Sequence, residues 1–427
     1  MKKLYAALFM ASGLGSLWLA GCGTPAPAPK PHTNSSKASK KPTTTTKPAK
    51  AGKPLKVIAF YDQTQSAAAP DPFALVKAHP GLVDFLSPFW YEVSPTGTLI
   101  AKPQGNAAIL AKQDHLPLMP LFTNAGGTDS FLQTAAARTK AVDAIASTVK
   151  AHNYPAVQID FQLLPKSDRT NLTTFMSQLK KALPTSVALS MSVVPLTSGN
   201  GESAAYDFRA LDKIVDSMVL MAYDLHGNGT PPGPVSPYAW VQKSISTAEA
   251  AGVSPTKLYL GIADYGYLWT DGSTKATTIP LKAMHQHKYG VYTWNSTYKE
   301  AYDKYTANGV THVIWFVNDR AAKDRIDLAK KDHLAGVAFW RIGYEDAKWW
   351  DTVAAAIGTG ATSGAGGPTG TNAARSPVTP KYAKQTGTKA KKTLIGPAKD
   401  VKKTAKRAGK GAKTEANKAA NTVKKKT

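Results

Sequence analysis

From Leu55 onward, short and mostly apolar runs alternate with longer segments in which apolar residues recur at helical spacing. The apolar runs are LKVIAFYD (55–62), VDFLSPFWYEV (83–93), LPLMPLFT (116–123), AVQIDFQLL (156–164), VALSMSVVP (187–195), SMVLMAYDLHG (217–227), KLYLGIADYGYLW (257–269) and LAGVAFWRIG (334–343). They lack the strict polar alternation of a half-exposed strand, so they read as strands buried on both faces of a parallel sheet. Segments between them, such as SFLQTAAARTKAVDAIASTVKAH and LTTFMSQLKKAL, carry the helical period. Eight β runs with intervening helices, over residues 55–357, predict an α/β fold of the (β/α)8 TIM barrel type. The interval 270–333 is too long for one loop and one helix. It is expected to hold a small α+β insertion after strand seven, around GVYTWNSTYKEAYDKYTANGVTHVIWFVND. An open doubly wound sheet is the alternative. It would want a glycine-rich phosphate loop after the first strand, and FYDQTQSAAAPDPF supplies none.

Outside this interval the pattern stops. Lys2 and Lys3 precede an apolar stretch, LYAALFMASGLGSLWLA, which ends in LAGC at 19–22. This reads as a lipoprotein signal peptide over 1–21, with lipid expected on Cys22. Cys22 is the only cysteine, so no disulfide can form within the chain. Residues 22–54 are rich in Pro, Thr and Lys, and residues 358–427 in Gly, Ala and Lys. Neither stretch can bury a core, and both are expected to be disordered.

The formal charge of +25 is unevenly spread. Residues 359–427 hold seventeen Lys and Arg against two acids, whereas 55–358 hold 27 against 26. The basic character therefore belongs to the tails. A lipid-anchored protein outside the bacterial cytoplasm, on the cell membrane or a spore envelope, would meet anionic wall polymer or lipid headgroups there. Nucleic acid is the weaker reading of the tail, and oligomeric state is not legible.

In a barrel of this type the chemistry sits at the C-terminal ends of the strands. Those ends offer Tyr61, Asp62, Phe89, Trp90, Asp160, Gln162, Met191, Tyr223, Asp224, Tyr265 and Trp340. Aromatic rings can stack on sugar faces while carboxylates and amides take hydroxyls, so the set points to a sugar site. By strand alternation Gln158, Asp160 and Gln162 share one face. That puts an amide where a proton-handling pair would want its second carboxylate. No cofactor and no metal are expected: His285 and His287 of HQH have no third ligand at recognisable spacing. His226 trims the sugar site or packs beside it. GTGATSGAGGPTG resembles a phosphate loop in composition only.

AVQIDFQLL, MAYDLHG, PPGPVSP, GIADYGYLW, VIWFVND and GVAFWRIGYED occur in an order and spacing that resembles glycoside hydrolase family 18, the chitinase-like barrels. The likeness covers residues 55–357, and the branch it suggests is that of spore-cortex-lytic N-acetylglucosaminidases and spore-germination proteins. The resemblance implies a substrate containing N-acetylglucosamine and a substrate-assisted mechanism, an exception to the two-carboxylate scheme. It implies that Asp160 orients the acetamido group and that Tyr223 hydrogen-bonds its oxygen. Trp340 would floor the sugar, with Asp224 and Gln158 beside it, and the strand-end residues Trp90, Met191 and Tyr265 are expected as further substrate contacts. The family's strand-four pattern ends in Asp-x-Glu, and here the Glu position is Gln162. An amide cannot donate the proton, so the resemblance implies that binding is kept while turnover is weak or lost. Asp168 is expected as a helix cap rather than a replacement acid, and Asp264 is a remote candidate. An active or conditional glycosidase and a membrane-to-wall tether are the alternatives.

Overall fold

The computed structural model describes residues 54–62, 73–199, 201–270, 272–286 and 292–358. Residues 1–53, with the expected signal and Cys22, His287, and residues 359–427 lie outside them. Fourteen strands are found among the described residues. They are β1 (Lys56–Tyr61), β2 (Phe85–Val93), β3 (Leu99–Ala101), β4 (Leu121–Asn124), β5 (Ala156–Asp160), β6 (Ala188–Val193) and β7 (Ser217–Leu220). They continue with β8 (Leu258–Ala263), β9 (Tyr265–Thr270), β10 (Ala276–Pro280), β11 (Thr293–Asn295), β12 (Glu300–Ala307), β13 (Val310–Phe316) and β14 (Gly336–Trp340).

Eight of these strands pair in parallel in the order β1-β14-β8-β7-β6-β5-β4-β2, and β1 returns to β2, which closes the barrel. β3 extends β2 as an antiparallel edge. The continuous apolar runs follow from burial on both faces. On one face Ile58, Phe60, Leu121, Ala156, Val219, Tyr259 and Ala338 form the barrel interior. On the other, residues such as Val157 and Ile159 pack against the helices, in one cluster with Phe175 and Leu179.

The helices are cut by local signals. Thr134 caps the helix Ala135–His152 by accepting from the Ala137 N–H, and Asn153 ends it at φ 53°. The helix Arg169–Ala182 buries the stripe Leu172, Phe175, Met176 and Leu179. No helix among the described residues is long and apolar enough to cross a membrane.

The insertion is present, but it begins earlier than the hydrophobic pattern suggests. KLYLGIADYGYLW is two strands, β8 in the barrel and β9 in a separate antiparallel sheet of order β10-β9-β13-β12-β11. Asp264 makes the break. Its N–H donates to the Trp340 carbonyl at 3.1 Å, and its carboxylate accepts the Arg341 N–H at 2.6 Å. The chain is thereby tied to the end of β14 as it leaves the barrel. Gly266 lets β9 approach β13, since a Cβ there would fall 2.2 Å from that of Phe316 and 2.3 Å from the Trp315 carbonyl oxygen. The helix Asp319–Lys331, capped by Asn318, then returns the chain to the barrel.

Candidate active site

A cavity of about 580 Å³ opens at the C-terminal ends of the barrel strands. Asp160, the last residue of β5, forms part of its wall and is 8% exposed. Its carboxylate accepts a hydrogen bond from Gln162 Nε2 at 2.8 Å. Burial pushes the Asp160 carboxyl up to about 6; the Gln162 bond opposes that rise and the charge of Glu202 adds to it.

Gln162 lies beyond the end of β5 rather than on it, yet its side chain still turns to Asp160. Asn124, at the end of β4, fixes this geometry. Its Oδ1 accepts the Gln162 N–H at 2.9 Å, and its Nδ2 donates to the Gln162 carbonyl at 2.8 Å. The amide is thus held beside Asp160 by the backbone of its own residue.

Tyr223 and Asp224 follow β7 in the loop and both line the cavity. The Tyr223 phenol is held neutral, because burial and the charges of Asp160, Asp224 and Asp264 raise it well above its ordinary value. Asp224 adopts φ 59°, a conformation that Asp tolerates better than most residues. The residue as a whole is exposed, but its carboxylate is enclosed by two phenols. It accepts from Tyr265 Oη at 2.6 Å and Tyr267 Oη at 3.0 Å. Burial raises the Asp224 carboxyl while the two hydroxyls hold it back.

Trp340 ends β14, joined to Arg341 by a cis peptide, and packs on Phe60 at a ring-centroid distance of 5.4 Å. The indole therefore roofs the apolar barrel interior and offers its other side to the cavity. A second cavity of about 460 Å³ shares Trp340, Tyr265 and Asp224 with the first and continues toward Asp62, Tyr267 and Tyr344.

The sequence reading placed some residues wrongly. Trp90 and Met191 are fully buried and do not line either cavity. The cause is strand parity. On β6 it is Ser192 that faces inward, accepting from Gln158 Nε2 at 2.8 Å, whereas Met191 stands beside Ile159 in the outer layer. On β2 the inner residue is Phe89 and the outer one Trp90. Gln158 is itself fully buried beneath the cavity, so it braces the barrel rather than its lining.

Asp168 precedes the helix Arg169–Ala182 without a capping bond, and its carboxylate accepts from Gln133 Nε2 at 2.8 Å instead. Asp264 is buried outside both cavity linings. His285 sits between Asp346 and Asp319 at 2.6 Å and 2.7 Å. His226 packs in its own turn, with Nδ1 3.1 Å from the Pro231 carbonyl oxygen.

One carboxylate in the cavity wall was not foreseen. Glu202, in the loop after β6, accepts the Leu163 N–H through Oε1 at 2.5 Å. No strand ends at Glu202, so a search of strand ends passes over it. The glycines of SGNGES were the available signal of a turn back toward the site.

A closed α/β barrel with a carboxylate, an amide, a tyrosine and an indole converging at its strand ends defines a carbohydrate-site barrel. The model of the Glycosyl hydrolases family 18 matches residues 34–345, and the chain belongs to that family. It is 28% identical over 289 residues to a cortical fragment-lytic enzyme of Bacillus anthracis, covering 62% of this chain and 66% of that enzyme. It is 27% identical over 285 residues to a putative sporulation-specific glycosylase, YdhD, of Bacillus subtilis, covering 62% and 67%. The crystal structure of the Bacillus cereus spore cortex-lytic enzyme SleL superposes with a TM-score of 0.64 at 26% identity, over 72% of this chain and 75% of that one. The chain thus spans about two-thirds of the length of these curated relatives.

Proposed function

We propose that the protein binds glycan containing N-acetylglucosamine, peptidoglycan or spore cortex, and that its turnover is weak or lost. The observation that carries this reading is the 2.8 Å hydrogen bond from Gln162 Nε2 to Asp160 within the cavity. In a substrate-assisted reaction the acetamido oxygen attacks C1 while an acid protonates the departing oxygen. Asp160 and Tyr223, both in the cavity lining, would hold the acetamido group, and Trp340 would stack under the ring. Gln162 stands where the acid is required and has no proton to give. General acid catalysis typically contributes ~10²–10⁴-fold, so its loss slows bond breaking while leaving the binding surface in place.

Placement at the cell surface is part of the same proposal. Lipid on Cys22 would hold the protein to the membrane, and the basic residues of 359–427 would bind anionic wall polymer or headgroups. Calorimetry with soluble N-acetylglucosamine oligomers tests the binding claim. Wild type is expected to bind, and Trp340→Ala to bind more weakly by about 1 kcal/mol, the scale of one aromatic contact. Absence of binding to any such oligomer would sink the reading. A slow glycoside hydrolase is the second reading, and the observation that favours it is the carboxylate of Glu202 in the cavity wall.

A further inference from the structure

Three carboxylates line the larger cavity among the described residues: Asp160, Asp224 and Glu202. Asp160 is engaged by Gln162, and Asp224 by the hydroxyls of Tyr265 and Tyr267. Glu202 differs in origin and attachment. It opens the single helical turn Glu202–Ala205, and Gly201, at φ 79°, reverses the chain just before it.

That turn is fastened to the segment that carries Gln162. Glu202 Oε1 accepts the N–H of Leu163, the peptide immediately after Gln162. Tyr206 Oη donates to the carbonyl of Phe161, immediately before it, at 2.8 Å. Arg169 braces the turn from below, its Nη1 donating to the Tyr206 carbonyl at 2.7 Å and the Ala204 carbonyl at 3.3 Å. Residue 162 is therefore flanked on both sides by bonds to the Glu202–Tyr206 turn, which fixes the Glu202 carboxyl at the peptide that follows Gln162, in the wall of the same cavity.

We propose that Glu202 is the proton donor of this site, supplied by the loop after β6 in place of residue 162. The inference rests on the glycan-binding part of the reading given above and takes up its second form, a slow hydrolase, in place of lost turnover. As the bond from C1 to the glycosidic oxygen breaks, its electron pair goes to the oxygen, which takes the proton of the Glu202 carboxyl. The acetamido oxygen bonds to C1 and forms the oxazolinium ion. The Glu202 carboxylate then removes a proton from water as the water oxygen attacks C1 and reopens the ring. Burial raises the Glu202 carboxyl above its ordinary value, with the Leu163 N–H opposing, which favours a proton being held there. Asp160 is not spent as the acid and keeps its role toward the acetamido group.

The test uses the full-length protein with two substrates that differ in leaving group: an N-acetylglucosamine oligomer and the 4-nitrophenyl glycoside of the same oligomer. A nitrophenolate departs with little help from an acid. Glu202→Gln is expected to lower kcat/KM for the oligomer by ~10²-fold or more, and kcat/KM for nitrophenolate release by less than about tenfold, since kcat/KM reports bond breaking and not the later attack of water. Oligomer binding by calorimetry should stay within about threefold of wild type on the 1.4 kcal/mol-per-decade scale. Unchanged oligomer hydrolysis in Glu202→Gln would overturn the proposal, and so would equal losses on both substrates, the mark of a structural role. Should Glu202→Gln fail to fold, Glu202→Asp draws the carboxyl back by one methylene and is read by the same ratio. A wild type that binds oligomer but hydrolyses neither substrate overturns the proposal and leaves the glycan reading intact. A wild type that binds nothing overturns both.

Discussion

Asp160 and Gln162 are joined by one hydrogen bond in the cavity wall, and substitution at either residue has a testable consequence. Gln162→Glu keeps the shape of the side chain and the Asn124 bonds to its backbone, because those bonds involve only main-chain atoms of residue 162. It places a second carboxyl against Asp160, where burial and like charge raise its affinity for a proton. Hydrolysis of an N-acetylglucosamine oligomer should then rise by ~10²-fold or more over wild type, with the anomeric configuration retained, as chromatography and NMR of the products would show. No increase would mean either that residue 162 no longer faces the scissile bond or that Glu202 already supplies the proton. Asp160 also makes a prediction about stability. Its folded-state value is raised from 3.8 to about 6, so between those values the folded protein binds more protons than the unfolded chain. Stability contributed by protonated Asp160 is therefore lost as pH rises from about 4 to 6, by up to about 3 kcal/mol. Urea midpoints should fall less steeply across this range in Asp160→Asn than in wild type, the difference being the share that Asp160 carries. Asp160 was legible in the sequence because a lone carboxylate in an apolar run marks a strand end. Glu202 was not, since its approach depends on the turn that Gly201 sets just before it.

At the scale of elements, the sequence pattern carried the barrel because eight buried strands need eight apolar runs, and such runs survive any uncertainty about their ends. It did not carry parity: Trp90 and Met191 stand at the right depth but face the helices. Nor did it separate β8 from β9, because both strands are apolar and only the bonds of Asp264 reveal the bend. The joint between insertion and barrel was equally hidden. Glu300 at the start of β12 is fully buried and accepts the N–H groups of Val235 at 2.9 Å and Ser236 at 2.6 Å. Arg325, from the helix Asp319–Lys331, pairs with Glu300 at 3.3 Å and donates to the carbonyls of Lys299 and Ala321. The pair thus pins the chain that follows the cavity-lining loop of Asn228 and Thr230. Burial pushes Glu300 up to about 7 even with the guanidinium opposing. Arg325→Ala should destabilise the fold by about 3–5 kcal/mol at pH 8, because a buried carboxylate loses its partner. The loss should shrink toward pH 5, where Glu300 takes up a proton. Chemical denaturation at the two pH values would measure both, and an equal loss at each would mean that packing rather than charge carries the effect.

For the whole molecule, the decisive quantity is where the charge lies. Residues 55–358 carry 27 basic and 26 acidic side chains, so the barrel has no net attraction for an anionic wall. The fifteen net positive charges of 359–427 do. On the proposed function, recognition of sugar and retention on the wall belong to different parts of the chain and should respond to different variables. Stacking on Trp340 and hydrogen bonding to Asp160 are short-ranged and little affected by salt. Attraction of exposed lysines to phosphate is screened, over about 30 Å at 0.01 M salt but only about 8 Å at 0.15 M. Adsorption of the full-length protein to purified anionic wall should accordingly fall steeply across that range. Deletion of 359–427 should abolish most adsorption at low salt while leaving binding to soluble oligomer within twofold, on the scale where tenfold is about 1.4 kcal/mol. A truncated protein that still adsorbed fully, and without regard to salt, would place wall retention in the barrel. The charge of 359–427 would then need another counter-ion, and headgroup binding, read by flotation with anionic vesicles, would be the next measurement.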